Sequence, residues 1–540
     1  MSIPNALQLR IQRDIDRFKL DPILSALKAT AITVAGTTES EFVAAVAQAQ
    51  TEQRPIYLDK MVALTTTNIP AQDVVIISDW TGGFTGTGHV AVGNDVTAVG
   101  LIHNAQSIGW QFSSNPTTNR FYSKREKFIG MGTFGVYDAG GAGGANHNQI
   151  MLEDPYFESC ATAVWLLGMS NGSVVRPTIR NIGNVTNYGI ALQSASNISI
   201  LDPDIRGGRT GVVCLPYSNR STGYNNVIRG GEYRDIAEEA ISLGDIRGNQ
   251  LSDTGLMDFF TISAADGSPT TGSMTAAPTI FVDWTASTIQ APGTAPASNL
   301  YANRDVIFLT GALKGVRFTL GGAPGWVKVT NTSRFTLATN TLTPDSNGRP
   351  GNLTQAQFAQ IANGDKIAIY CTPTRTLVSN PTIWCSGAGP NATGIKVWGG
   401  GGHRIINPTI YGNGAAYTGQ LAVGRKGMAI QHTAVLQART GCLSLTGLRS
   451  QGVSSDVTVT GGKYINCDVG LGNWTPNAGT SHAENIEVSY PISFKGNRFY
   501  GDGNLFNDLW KNGAGDASTA IPCFDPAGVV NNTTGLPVPA

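Results

Sequence analysis

Asn380-Pro381-Thr382-Ile383 and Asn407-Pro408-Thr409-Ile410 are two copies of one phrase, an Asn-Pro turn feeding a short apolar strand. Relatives stand at Arg176-Pro177-Thr178-Ile179, Asp202-Pro203-Asp204-Ile205 and Gly230-Gly231-Glu232-Tyr233. Looser copies are Gly461-Gly462-Lys463-Tyr464 and Lys495-Gly496-Asn497-Arg498-Phe499. Pro177 to Pro203 is 26 residues, Pro203 to Gly231 is 28 and Pro381 to Pro408 is 27. A period in this range marks stacked units that share one continuous core.

A representative unit reads Asn197-Ile198-Ser199-Ile200, a turn, Asp204-Ile205, a turn, then Gly211-Val212-Val213-Cys214. Alternate residues of a strand face opposite sides, which sends Ile198, Ile200, Ile205, Val212 and Cys214 inward. Three short strands in about 25 residues describe one turn of a parallel β-helix.

The bulk composition agrees. The chain has 540 residues, 66 of them glycine, and only 14% are charged, against about 25% in a typical soluble protein. The 37 Lys and Arg balance the 37 Asp and Glu. No basic surplus points to nucleic acid or an anionic membrane surface. No run of about 20 apolar residues is present, so no membrane insertion is expected. Residues 1–19 carry Arg10, Arg13, Asp14, Asp16 and Arg17, which excludes a signal peptide. The seven cysteines lack metal-ligand spacing and read as buried thiols.

Six segments follow. Residues 1–30 are a helical assembly or docking segment, with Leu7, Ile11, Ile15 and Phe18 on one face. Residues 31–150 are an N-terminal cap with irregular first coils. Thr38-Glu39-Ser40-Glu41 caps a helix through Phe42, Val43, Val46 and Ala49, ended near Arg54-Pro55. Such a helix covers the open end of a solenoid. Regular coils occupy 151–260. The repeat fails over 261–375, read as an inserted small β-domain with strands at Asp305–Leu309, Ser333–Leu337 and Gly364–Ile369 and a short helix at Thr354–Ile361. Coils resume over 376–510, and 511–540 form a C-terminal cap or tail.

The Phe42 helix with Arg54-Pro55-Ile56-Tyr57-Leu58 after it, the Asn-Pro-Thr-Ile coils and the missing signal peptide together resemble the pectin-lyase-like right-handed parallel β-helix of bacteriophage tailspikes. The likeness covers about residues 30–510 apart from the insert, which resembles small β-modules of other phage tail proteins. It implies an all-β homotrimer on a virion, made in the host cytoplasm and in contact with other tail proteins. It also implies a depolymerase that binds and cleaves a bacterial capsule, exopolysaccharide or O-antigen. The chain departs from large tailspikes in lacking a long N-terminal particle-binding domain and a long C-terminal trimerisation domain.

Glycoside hydrolysis needs two carboxylates flanking the bond. The richest stretch runs from Gly231 to Arg247 and holds Asp235, Glu238, Glu239 and Asp245. With Ile241 and Leu243 inward, Glu239 and Asp245 bracket a strand and form the leading acid/base pair, with Glu238 and Asp235 as alternates. Arg234 and Arg247 could hold an acidic sugar. Inward Val164 and Leu166 leave Trp165 outward, and inward Ile395 and Val397 leave Lys396 and Trp398 outward, as sugar contacts. Asp202 with Asp204, and Glu153 with Asp154 and Glu158, read as turn residues. The runner-up is a polysaccharide lyase, for which His403 would be the base. The third reading is a tail protein that binds sugar without cutting it. No cofactor is expected.

Overall fold

The computed structural model describes residues 22–112, 119–138, 147–181, 188–215 and 223–243. It continues with 257–265, 279–283, 305–319 save 309 and 315, 326–328, 334–338, 355–370 save 359, 374–384, 393–397 and 400–411. Beyond these it describes 426–431, 454–455, 458–465, 468–472, 493–500 save 496, and 529–531. The fold is a parallel β-solenoid. Contacts divide it into two compact units, residues 1–190 with 199–208, and 191–198 with 209–540.

In the first unit each coil contributes one strand to each of three parallel sheets. One coil gives Val96–Val99 to the first sheet, Ile102–Asn104 to the second and Ile108–Phe112 to the third; the next gives Asn119–Lys124, Lys127–Ile129 and Phe134–Asp138. Partners lie in strict register, as in Phe128 beside Phe157 and Val136 beside Val164. The core is therefore built of columns. Phe42, Phe84, His103, Phe128 and Phe157 form one, with successive ring centroids 4.9, 5.5, 4.5 and 4.8 Å apart. Ile179 and Ile205 take the equivalent places in later coils. Each such ring contributes roughly 1.5–3 kcal/mol by burial.

The helix Glu39–Glu52 begins at Thr38, whose backbone N–H donates to the Glu41 carboxylate at 3.0 Å. It ends where Gln53 turns left-handed. Its buried face is Phe42, Ala45, Val46 and Ala49, and Phe42 sits on Phe84, so the helix covers the first core layer. A second helix, Pro22–Thr30, packs Leu24 on Tyr57 and Ile77. The expected helix over 1–30 otherwise falls outside the described residues.

The recurring phrase is a left-handed corner. Arg176, Asp202, Asn380 and Asn407 all have φ between 49° and 53°, a region that Asn, Asp and Gly enter most easily. Proline next fixes the extended entry to the following strand. In the second unit Asn407 donates its side-chain amide to the Asn380 side chain at 3.3 Å. Asp202 is thus an exposed corner residue, as its place before Pro203 predicts, whereas Asp204 lies on the strand that follows.

The described residues between 85 and 150 are more regular than their sequence. Strands there pair coil upon coil. Their core slots carry His103, Gln106, Ser123, Glu126 and Trp110 instead of aliphatic residues, which hides the period-2 pattern.

In the second unit Val227–Arg229, Glu232–Arg234 and Glu239–Leu243 pair directly with Leu377–Ser379, Thr382–Trp384 and Thr393–Val397. The strands between, from Met257–Ala265 to Lys366–Tyr370, are antiparallel and form a seven-stranded sheet of their own. The helix expected at Thr354–Ile361 is the single turn Gln355–Phe358. Cys160 and Cys214 are buried, and burial pushes both thiols up to about 12.

Candidate functional site

The site is built on the third-sheet strand Glu239–Leu243, between Thr210–Leu215 of the preceding coil and Thr393–Val397 of the following one. Val212, Cys214, Ile241, Leu243, Ile395 and Val397 face the core and are fully buried. Val213, Ser242 and Lys396, in register between them, face outward.

Strict alternation would send Glu239 inward with Ile241. The strand does not alternate at that point. Ladder pairing joins Thr210 to Glu239 to Thr393 and resumes at Val212, Ile241 and Ile395, passing over the residue between. That skipped column is small, Gly211 and Ala240, because it turns inward. A Cβ on Gly211 would meet the Ala240 carbonyl at 2.5 Å and the buried Tyr233 ring at 3.2 Å. The same corner recurs at Gly135 in the first unit, where a Cβ would lie 2.6 Å from the Phe157 ring. The inward kink leaves the preceding column outside. Phe134, in that column, accordingly stacks on outward Tyr137 at 4.2 Å.

Glu239 is therefore on the outer face, and it is nonetheless 0% exposed. Lys396 Nζ lies 3.6 Å from Glu239 Oε1, and the Thr210 hydroxyl donates to Oε2 at a long 3.4 Å. The lysine side chain is 13% exposed and is the opening to solvent. Ser242, beside Lys396 in register, is also 0% exposed, and its hydroxyl has no hydrogen-bond partner. Glu238 is partly exposed and accepts from Arg209 Nε at 2.9 Å, while its own N–H donates to the Arg209 carbonyl. Asp235 is exposed at a left-handed corner, φ 56°, three residues before Glu238.

Asp235, Glu238 and Glu239 thus gather at one end of the strand. The sequence reading pairs Glu239 with Asp245 across the strand. Asp245, Arg247 and Trp398 lie outside the described residues.

Trp165 faces outward in the first unit, partly exposed, edge-on to Phe134 at 5.6 Å and to Tyr188 at 5.9 Å. His403 is no exposed base: it is fully buried and its Nδ1 accepts the Thr376 N–H at 3.2 Å. Glu153 and Asp154 hold Arg176 of the next coil at 2.9 and 2.6 Å, an ion-pair ladder at the corners. Burial alone would raise Glu153, but the Tyr122 hydroxyl, Lys124 and Arg176 outweigh it and hold the carboxyl below its ordinary value.

Two features escaped the sequence reading. On the second sheet of the second unit, Arg234 lies 3.9 Å from the Trp384 ring centre, and Tyr411 stacks on the other face at 5.4 Å. Aligning the phrase by its period would have put them in one column, the residue after the apolar one. Both faces of Trp384 are taken, so the ring is a rung of the ladder. In the first unit Glu126, buried at the slot where later coils carry Pro155 and Pro177, receives Trp110 Nε1 at 3.0 Å, the Ser123 hydroxyl and His103 Nε2 at 3.3 Å.

No protein-family model and no curated protein matches the sequence. Among solved structures, the chain is similar to the A-module of the mannuronan C-5 epimerase AlgE6 of Azotobacter vinelandii, with 11% identity, a TM-score of 0.47 and coverage of 91% of this chain and 94% of that one. It is similar to a mannuronic-acid-specific polysaccharide family 6 lyase from human gut microbiota, with 8% identity, a TM-score of 0.40 and coverage of 93% and 91%. It is also similar to the Dettilon tailspike protein, with 11% identity, a TM-score of 0.34 and coverage of 89% and 68%.

Proposed function

We propose that the chain is a tailspike-type depolymerase, a homotrimer on a phage virion that hydrolyses a bacterial surface polysaccharide on the outer face of its third sheet. One observation carries the reading: Glu239 is an outward carboxylate that is closed to water, with Lys396 as its counter-charge. A charge is kept in such a place only with a partner, and a water-excluded carboxylate beside a cation suits a base or nucleophile. Asp235 and Glu238, at the same end of the strand, are candidate proton donors beside Asp245. Parallel strands repeat outward side chains about every 4.8 Å, which suits an extended sugar chain; in the first unit, taken by itself, outward Trp165 is an aromatic face of the kind sugars contact.

Incubation with polysaccharides from a panel of bacterial strains tests this. New reducing ends without the ultraviolet absorbance of an unsaturated uronate are the expected result. An absorbing product would make the enzyme a lyase. Unchanged viscosity across the panel would leave a receptor-binding protein without cleavage. Glu239→Gln should lower the rate by ~10²–10⁴-fold; full activity in Glu239→Gln, Glu238→Gln and Asp235→Asn alike would sink the site.

A further inference from the structure

We infer that Ser242 is a sugar-binding residue and that the sugar held beside it is uncharged; this rests on the reading of the third-sheet face as the glycan site. The first ground is the Ser242 hydroxyl. It is fully buried, faces outward between Val213 and Lys396, and has no hydrogen-bond partner. A buried hydroxyl left unmade costs about 1–3 kcal/mol. Within the chain the oxygen gains no hydrogen bond. A ligand hydroxyl arriving next to Lys396, the exposed member of the group, satisfies it.

The second ground is charge. Of the described side chains from Arg209 to Glu239 and on Lys396, four are cations: Arg209 faces Glu238 at 2.9 Å, Arg234 faces Glu232 at 2.9 Å and Lys396 faces Glu239 at 3.6 Å, while Arg229 is exposed on a first-sheet strand. Asp235 adds a fourth carboxylate on the surface. Four negative charges balance four positive, and at the third-sheet strands, away from Arg229, the described cations Arg209 and Lys396 are matched by Glu238 and Glu239, so no positive surplus among them receives a uronate. Paired Lys and Glu beside Ser and Thr hydroxyls instead offer donors and acceptors in equal measure, which matches the hydroxyls of a neutral hexose.

The test applies the full-length chain to immobilised bacterial polysaccharides, one set neutral and one set uronate-bearing. Wild type should be retained on a neutral member. Ser242→Ala should lose about tenfold in affinity there, the worth of one hydrogen bond, with a thermal midpoint equal to or above that of wild type. Retention on uronate-bearing glycans alone would overturn the inference and leave the depolymerase reading standing. Neutral retention untouched by Ser242→Ala, or a lowered thermal midpoint in that variant, would remove Ser242 from the site. No retention on either set would overturn the glycan reading itself.

Discussion

Glu126 and Glu239 are both fully buried carboxylates on a solenoid strand or corner, and their surroundings could hardly differ more. Glu126 faces the core of the first unit and is saturated: an indole, a hydroxyl and an imidazole converge on its two oxygens at hydrogen-bond distance. Gln106 takes the other imidazole nitrogen at 3.1 Å and is itself fixed by the Gly88 carbonyl at 2.9 Å. Glu239 faces outward in the second unit, with a lysine at 3.6 Å and a hydroxyl at 3.4 Å among its neighbours. A bare serine hydroxyl lies on the same strand. A saturated network defines one packing and has nothing left to bind with. A bare hydroxyl on an outer face has capacity to spare, and stability has been given up for it.

The comparison breaks most easily at Glu126. Glu126→Ala should destabilise the chain by about 3–5 kcal/mol, since three buried donors lose their acceptor. Denaturant unfolding followed by Trp110 fluorescence measures it, and a loss under 1 kcal/mol would erase the contrast. Lys396→Met comes next. It should cost roughly 2–4 kcal/mol by removing the ammonium 3.6 Å from buried Glu239, and Glu239→Gln in the same chain should recover most of that. A double-mutant cycle without such recovery would mean that the 3.6 Å pair is not coupled.

The corner ladder should matter far less. Arg176→Asn loses exposed pairs to Glu153 and Asp154 but places a residue better suited to φ 49°. The expected change is within about 1 kcal/mol. Smallest is a pH effect at the capping helix. Glu39 is held down to about 2, from an ordinary value of 4.5, by the Thr66 side chain and the Thr65 and Thr66 backbone N–H groups. Its stabilising contribution is complete above pH 4.5 and fades as pH falls toward 2. The difference in thermal midpoint between wild type and Glu39→Gln should therefore shrink between those two values and vanish below them.

The sequence by itself determined the solenoid. Asn380 and Asn407 sit 27 residues apart in a corner whose left-handed backbone few other residues enter cheaply. Ile198, Ile200, Ile205, Val212 and Cys214 faced inward as their alternation required. The capping box and Phe42 placed the closing helix, because those signals are local. Between 85 and 150 the pattern was lost, since His103, Trp110 and Glu126 fill core slots with polar or aromatic groups that satisfy one another only across coils. The site was half legible. Composition picked out Asp235, Glu238 and Glu239, and alternation put Lys396 and Trp165 outside. Only the tertiary structure decided that Glu239 also faces out, because the inward kink at Gly211 and Ala240 depends on the Ala240 carbonyl and Tyr233 packed against that corner. It likewise decided that Ser242 is buried bare beside Lys396. Backbone period is written in each unit of sequence, whereas burial and pairing are set by residues a coil or more away.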